Sequence, residues 1–209
     1  MSTKKLALLF PGQGSQVIGM GKDFHENFKE ASLVFEEASD AISVNLKKLC
    51  FDGPEDELTK TENLQPALFT VEMAIFAALK VHADFFVAVA AGHSLGEYSV
   101  FAASGSLSLL EGVRLTRLRG QAMQEAVPLG KGAMAAILGF DAATVEKLCQ
   151  KVRATLPAET VEIANFNAPG QIVIAGTTTG VGQVGRLMKE DEEFKSGRFI
   201  PLQVSAPFH

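Results

Sequence analysis

Apolar runs alternate with amphipathic stretches along this chain, and that alternation sets out its elements. Residues 6–10 are apolar throughout and predict a buried strand, with "PGQGSQ" after them as a loop. Residues 23 to about 42 place Phe24, Phe28, Phe35 and Ala38 among apolar positions at helical spacing and predict one helix. "FDGPEDELTKTEN" reads as a charged connection with a short helical piece. Residues 65–81 predict a strongly apolar helix, with Pro66 tolerable near its start. Residues 85–91 are the next buried strand; Ser94 then opens a helix, and residues 107 to about 126 form another. Strands that are apolar throughout and alternate with helices predict a parallel sheet covered on both faces.

The pattern changes at "VPLGKG", residues 127–132, which reads as a hinge. A strand over 133–140 follows, then a helix capped by Asp141 and running to about Arg153. Residues 161–167 and 171–175 are two strands joined by "APG", a hairpin. Residues 177 to about 194 are largely helical, and 198–204 form a last strand. The order β-α-β-β-α-β is that of a ferredoxin-like domain. "PLQVSAPFH" then stops with no closing element, which points to a piece of a longer polypeptide.

Composition narrows the function classes. The chain has 209 residues, 47% hydrophobic and 21% charged, with a formal net charge of −5, which argues against a nucleic-acid partner. Its two cysteines, Cys50 and Cys149, are far apart and read as reduced structural thiols. The apolar run at 6–10 is too short for a signal peptide, and no segment approaches the length of a membrane span. The expectation is a cytoplasmic protein with no membrane partner.

Candidate chemistry centres on Gly92-His93-Ser94-Leu95-Gly96, between a strand and a helix. A nucleophile elbow needs small flanking residues because its turn is sharp and strains the serine. The alternative is a plain strand-to-helix turn with Ser94 as its N-cap. "FPGQGSQ" also follows a strand. If the two strands are neighbours, the backbone N–H groups of Gln13 and Leu95 can form an oxyanion hole. On a helical wheel, Leu115, Leu118, Ala122, Met123 and Ala126 form one apolar arc, with Arg119 inside it and Arg114 and Arg117 outside, as solvated arginines. A guanidinium on such an arc needs either a buried carboxylate partner or a substrate carboxylate. Of four histidines, His25 and His82 read as surface bystanders, and His93 is a poor base because adjacent side chains at an elbow diverge. His209, in a Pro-Phe-His turn, is left as the candidate base.

"FPGQGSQ", "GHSLGEYS", "RLRGQAMQ", "GAMAAI", "NFNAPGQIVIAG" and "PFH" occur in this order. Together they resemble the malonyl-CoA:acyl-carrier-protein transacylases of bacterial fatty-acid synthesis. The resemblance implies an α/β-hydrolase-like large subdomain (1–127), an inserted ferredoxin-like small subdomain (128–200), and a return into the large one at 201–209. It implies Ser94 as nucleophile, His209 as catalytic histidine, Gln13 and Leu95 as oxyanion-hole residues, and Arg119 as the grip on the malonyl carboxylate. Phe208, an aromatic before the histidine, is consistent with malonyl over methylmalonyl. Malonyl-CoA and acyl carrier protein are the implied partners, and the implied chemistry needs neither metal nor redox cofactor. A carrier protein is acidic, so Arg114 and Arg117 are candidates for its docking, whereas Arg186, Lys189, Lys195 and Arg198 lie in a mixed-charge stretch. Members of the family continue past the matched histidine, with more of the large sheet and a glutamine that orients the imidazole. A serine thioesterase or esterase is the alternative function, because hydrolysis and transfer share an acyl-serine.

Overall fold

The computed structural model describes residues 4–128, 130–202, 204 and 206–209. The chain divides into two compact units, Met1–Ala122 and Met123–His209.

In the first unit, strands β1 (Lys4–Phe10) and β2 (Phe85–Gly92) form a parallel pair, with Phe10 opposite Gly92. Parallel strands run the same way, so their C-terminal ends meet at one edge. "FPGQGSQ" and the Ser94 turn therefore leave the sheet side by side, and His93 N–H donates to Phe10 O at 3.0 Å. Between the strands come helices α1 (Lys22–Asn27), α2 (Lys29–Ile42), α3 (Leu46–Asp52), α4 (Glu55–Leu58) and α5 (Thr61–His82). After β2 come α6 (Gly96–Ala103) and α7 (Leu109–Ala126), whose last residues pass into the second unit. Phe35, Leu46, Leu58, Leu64, Phe69, Leu95 and Val113 are fully buried in this unit's core.

Several expectations need correction here. The single helix over 23–42 is two, because Phe28 takes extended backbone (φ −130°, ψ 116°) and packs its ring between Phe24 and His82. Helix α3 lay outside the predicted elements. Asn45 caps it by accepting from Lys48 N–H at 2.8 Å, and Leu46, Leu49 and Cys50 bury one face. Within residues 4–209, Leu9 is 78% and Phe86 58% exposed on one face of the two-stranded sheet. Helix α5 is also long and apolar enough to cross a membrane by length and composition, contrary to the sequence reading; two thirds of that stretch is instead buried in the core.

The wheel placed the buried face of α7 wrongly. Leu118 is 61% exposed, and the face turned inward is Gly112, Val113, Thr116 and Gly120. A Cβ on Gly112 would come within 2.1 Å of Phe69 Cζ, and one on Gly120 within 2.6 Å of Glu62 Cα. Small residues thus let α7 approach α5 closely, and an apolar arc of large side chains is not what fits there.

The second unit is a four-stranded antiparallel sheet in the order β4-β5-β3-β6: β3 (Gly132–Leu138), β4 (Val161–Ala168), β5 (Gln171–Thr177) and β6 (Arg198–Pro201). Helices α8 (Ala142–Thr155) and α9 (Thr178–Glu190) connect them. Asp141 caps α8 by accepting from Thr144 N–H at 2.8 Å, and "APG" closes the β4–β5 hairpin, both as expected. The last strand is shorter than expected, and Gln203 within its expected range lies outside the described residues. Alternation along β3 sends Ala135 and Ile137 into the core with α8 and α9. Met134 and Ala136 point the other way, onto Ala206 and Phe208.

Candidate active site

The turn after β2 is strained at one residue. Ser94 has φ +55°, in the left-handed region that a non-glycine residue rarely occupies. The residue at the N-cap position of α6 is Leu95, not Ser94. The two glycines explain how so sharp a turn fits. A Cβ on Gly92 would fall 2.1 Å from Gly96 C, and one on Gly96 would fall 2.2 Å from Phe10 O. A Cβ on Gly12 would meet His93 O at 2.6 Å, so the "FPGQGSQ" loop packs directly on the turn.

Arg119 reaches this turn from α7. Its Nη2 donates to Ser94 Oγ at 2.9 Å, and its Nη1 donates to Gln65 Oε1. Gln65 is 1% exposed on α5, and its Nε2 donates to Gln13 Oε1 at 3.3 Å. The Arg119 guanidinium also lies 5.8 Å from the Tyr98 ring centre. Burial pulls its pKa below the usual arginine range, with Tyr98 and Glu97 pulling it back up. Among the described residues no carboxylate lies within ion-pair distance of it. Ser94, Leu95, Gln13 and Arg119 are thus gathered at one sheet edge. Sequence reasoning missed Gln65; its signal was a long amide inside an otherwise apolar helical run.

Glu72 lies seven residues along α5 from Gln65, two turns away on the same face. It is buried, Ser99 Oγ on α6 donates to its Oε2, and its Oε1 has no partner. Burial pushes its carboxyl up to about 7, against the Ser99 hydrogen bond, which lowers it. Sequence reasoning missed this group as well.

His209 and Phe208 belong to the second unit. Phe208 is buried and its N–H donates to Met134 Sδ at 3.3 Å; His209 follows it, exposed, with φ +61°. His25 is not a surface bystander, since its ring packs edge-on against Phe35 and Phe51. His82 lies 3.3 Å from Glu30. Arg117 is not a solvated arginine: its Nη1 donates to Glu62 O at 2.8 Å and to Asn63 Oδ1 at 2.5 Å, and Nη2 lies 3.4 Å from Glu62 Oε2. Arg114 is exposed, and its Nε donates to Ala41 O at 3.3 Å. Cys50 and Cys149 are buried free thiols, pushed up by burial to about 12 and about 11, and are unreactive.

Known proteins place this geometry in context. A malonyl CoA-acyl carrier protein transacylase of Bacillus subtilis is 48% identical over 208 residues, covering 98% of this chain and 63% of the relative. The crystal structure of a malonyl CoA-acyl carrier protein transacylase from Clostridium perfringens superposes with a TM-score of 0.88 at 42% identity, covering 99% of this chain and 63% of that one. A malonyl-transacylase in complex with a type II PKS acyl-carrier protein matches with a TM-score of 0.89 at 40% identity, covering 98% of this chain and 64% of that one. The chain therefore spans just under two thirds of the length of these relatives. Residues 7–204 match the acyl transferase domain family, and this chain belongs to that family.

Proposed function

We propose that this chain supplies the nucleophile and the carboxylate grip of a malonyl-CoA:acyl-carrier-protein transacylase. The observation that carries the reading is Arg119, held 2.9 Å from Ser94 Oγ without a carboxylate partner among the described residues. Ser94 Oγ attacks the thioester carbonyl of malonyl-CoA. Its proton goes to His209, an assignment supported by the sequence resemblance. The N–H groups of Gln13 and Leu95 hold the oxyanion, which the adjacency of their two loops supports. The carbon–sulfur bond breaks, CoA leaves as the thiol with that proton, and a malonyl-serine ester remains with its carboxylate on Arg119. The carrier's phosphopantetheine thiol then gives its proton to His209 and attacks the ester. The new thioester leaves, and Ser94 recovers its proton. The sequence resemblance, with an aromatic at Phe208 before the histidine, supports malonyl over methylmalonyl. The reading needs no metal or cofactor and implies a cytoplasmic enzyme.

The finer architecture belongs to the same proposal. The strand order β4-β5-β3-β6 with two connecting helices supports a ferredoxin-like subdomain at 128–200. The parallel pair ending at the serine supports an α/β-hydrolase-like subdomain at 1–127, rejoined at 201–209.

The test is transfer. In the full chain, a malonyl adduct formed from malonyl-CoA should discharge onto a phosphopantetheinylated carrier protein much faster than into water. Discharge into water at the same rate with or without carrier would make the protein a thioesterase instead.

A further inference from the structure

We propose that Gln65 is the positioning residue that orients Arg119 while leaving its charge available to the substrate carboxylate, and that it ties this grip to the loop bearing Gln13. This rests on the acyl-transfer reading above. Burying a primary amide in an apolar helix costs free energy unless both ends are hydrogen-bonded. Both ends of Gln65 are: Oε1 accepts from Arg119 and Nε2 donates to Gln13 Oε1. A guanidinium can only donate, so the chemistry itself assigns which end of the amide faces Arg119. One side chain thereby fixes the plane of the cation that meets the acyl carboxylate and the position of the loop that meets the oxyanion.

The choice of an amide over a carboxylate is informative. Two residues earlier on the same helix, Arg117 is paired with Glu62, and in the second unit Arg153 is paired with Glu146. Those arginines are neutralised by acids of the protein. Arg119 is half-buried against Ser94 and receives a neutral acceptor instead. A glutamate at position 65 has nearly the same shape and bonds guanidinium at least as strongly, yet it would cancel the charge that an incoming carboxylate needs. An amide holds the fork still without competing for it.

The experiment compares wild type, Gln65→Glu and Gln65→Met in the full chain. It measures single-turnover acylation of Ser94 by malonyl-CoA and by acetyl-CoA, and takes the ratio of the two rates. Because both rates come from one sample, loss of folded protein cancels. The expected result is a malonyl-to-acetyl ratio at least about tenfold below wild type for Gln65→Glu, with acetyl loading reduced far less. Gln65→Met keeps the charge and loses the orientation, so its ratio should fall by a smaller factor. A wild-type ratio in Gln65→Glu overturns the proposal; if that variant does not fold, a wild-type ratio in Gln65→Met does so. Failure of the wild type to acylate Ser94 at all is a separate result, removing the acyl-transfer reading and this proposal with it.

Discussion

Arg119 Nη2 stands 2.9 Å from Ser94 Oγ, although Ser94 lies in the turn after β2, Arg119 on α7, and the two are 25 positions apart. On the proposed function, this fixed cation beside a strained serine selects the acyl group that the serine holds. Removing Arg119 leaves a malonyl carboxylate buried without its partner, and such losses cost about 2–5 kcal/mol. Arg119→Ala should therefore slow malonyl loading of Ser94 by roughly 100-fold, while acetyl loading changes little. Unchanged selectivity in acylation assays with the two thioesters would return Arg119 to a purely structural role.

The buried carboxyl of Glu72 makes stability depend on pH. Burial raises it from 4.5 to about 7 in the folded protein. Below pH 4.5 it is protonated in both states and its contribution is fully present. Between 4.5 and about 7 the unfolded chain releases its proton first, so stability falls as pH rises, by about 3 kcal/mol in total. Denaturant titrations at pH 5 and pH 8 should show that fall in wild type and a much smaller one in Glu72→Gln. Equal pH slopes in the two proteins would locate the effect elsewhere.

Close helix packing should make Gly112 intolerant. An added Cβ would lie 2.1 Å from Phe69 Cζ, and Phe69 is fully buried and has no room to retreat. Gly112→Ala should lower unfolding free energy by about 1–3 kcal/mol despite the better helix propensity of alanine. A midpoint in urea at or above wild type would mean that α7 can shift away from α5 at little cost.

Asp141→Ala tests the second unit by itself. Loss of the cap on Thr144 N–H should cost about 1 kcal/mol of stability. Ser94 acylation should be untouched, since the Asp141 side chain caps α8 and is none of the residues assigned to that reaction. A fall in acylation without a fall in stability would be the contrary result.

The legible parts of this protein were those written in local sequence. The β4–β5 hairpin was announced by "APG" and the α8 start by Asp141, and each follows from short-range turn and cap chemistry. The Ser94 turn was legible because glycines at both flanks have one compelling use there, close backbone approach. Tertiary contact decided the rest. Nothing local marks Phe28 as the break between α1 and α2. The inward face of α7 is two glycines, a threonine and a single valine, which a wheel that looks for large apolar residues passes over. Arg119 was picked out for a wrong reason: Leu115 and Leu118 of its supposed apolar arc are exposed, yet the residue does reach Ser94. Gln65 escaped notice because a buried amide has meaning only once its two partners are known.

The most direct measurement is the intact mass of the full chain after mixing with malonyl-CoA, beside Ser94→Ala and an acetyl-CoA control. One malonyl adduct, absent in Ser94→Ala and absent with acetyl-CoA, is the expected result; it would join the strained serine and the Arg119 grip in a single observation. An adduct that persists in Ser94→Ala, or one that forms equally with acetyl-CoA, would contradict the assignment of nucleophile or of grip respectively.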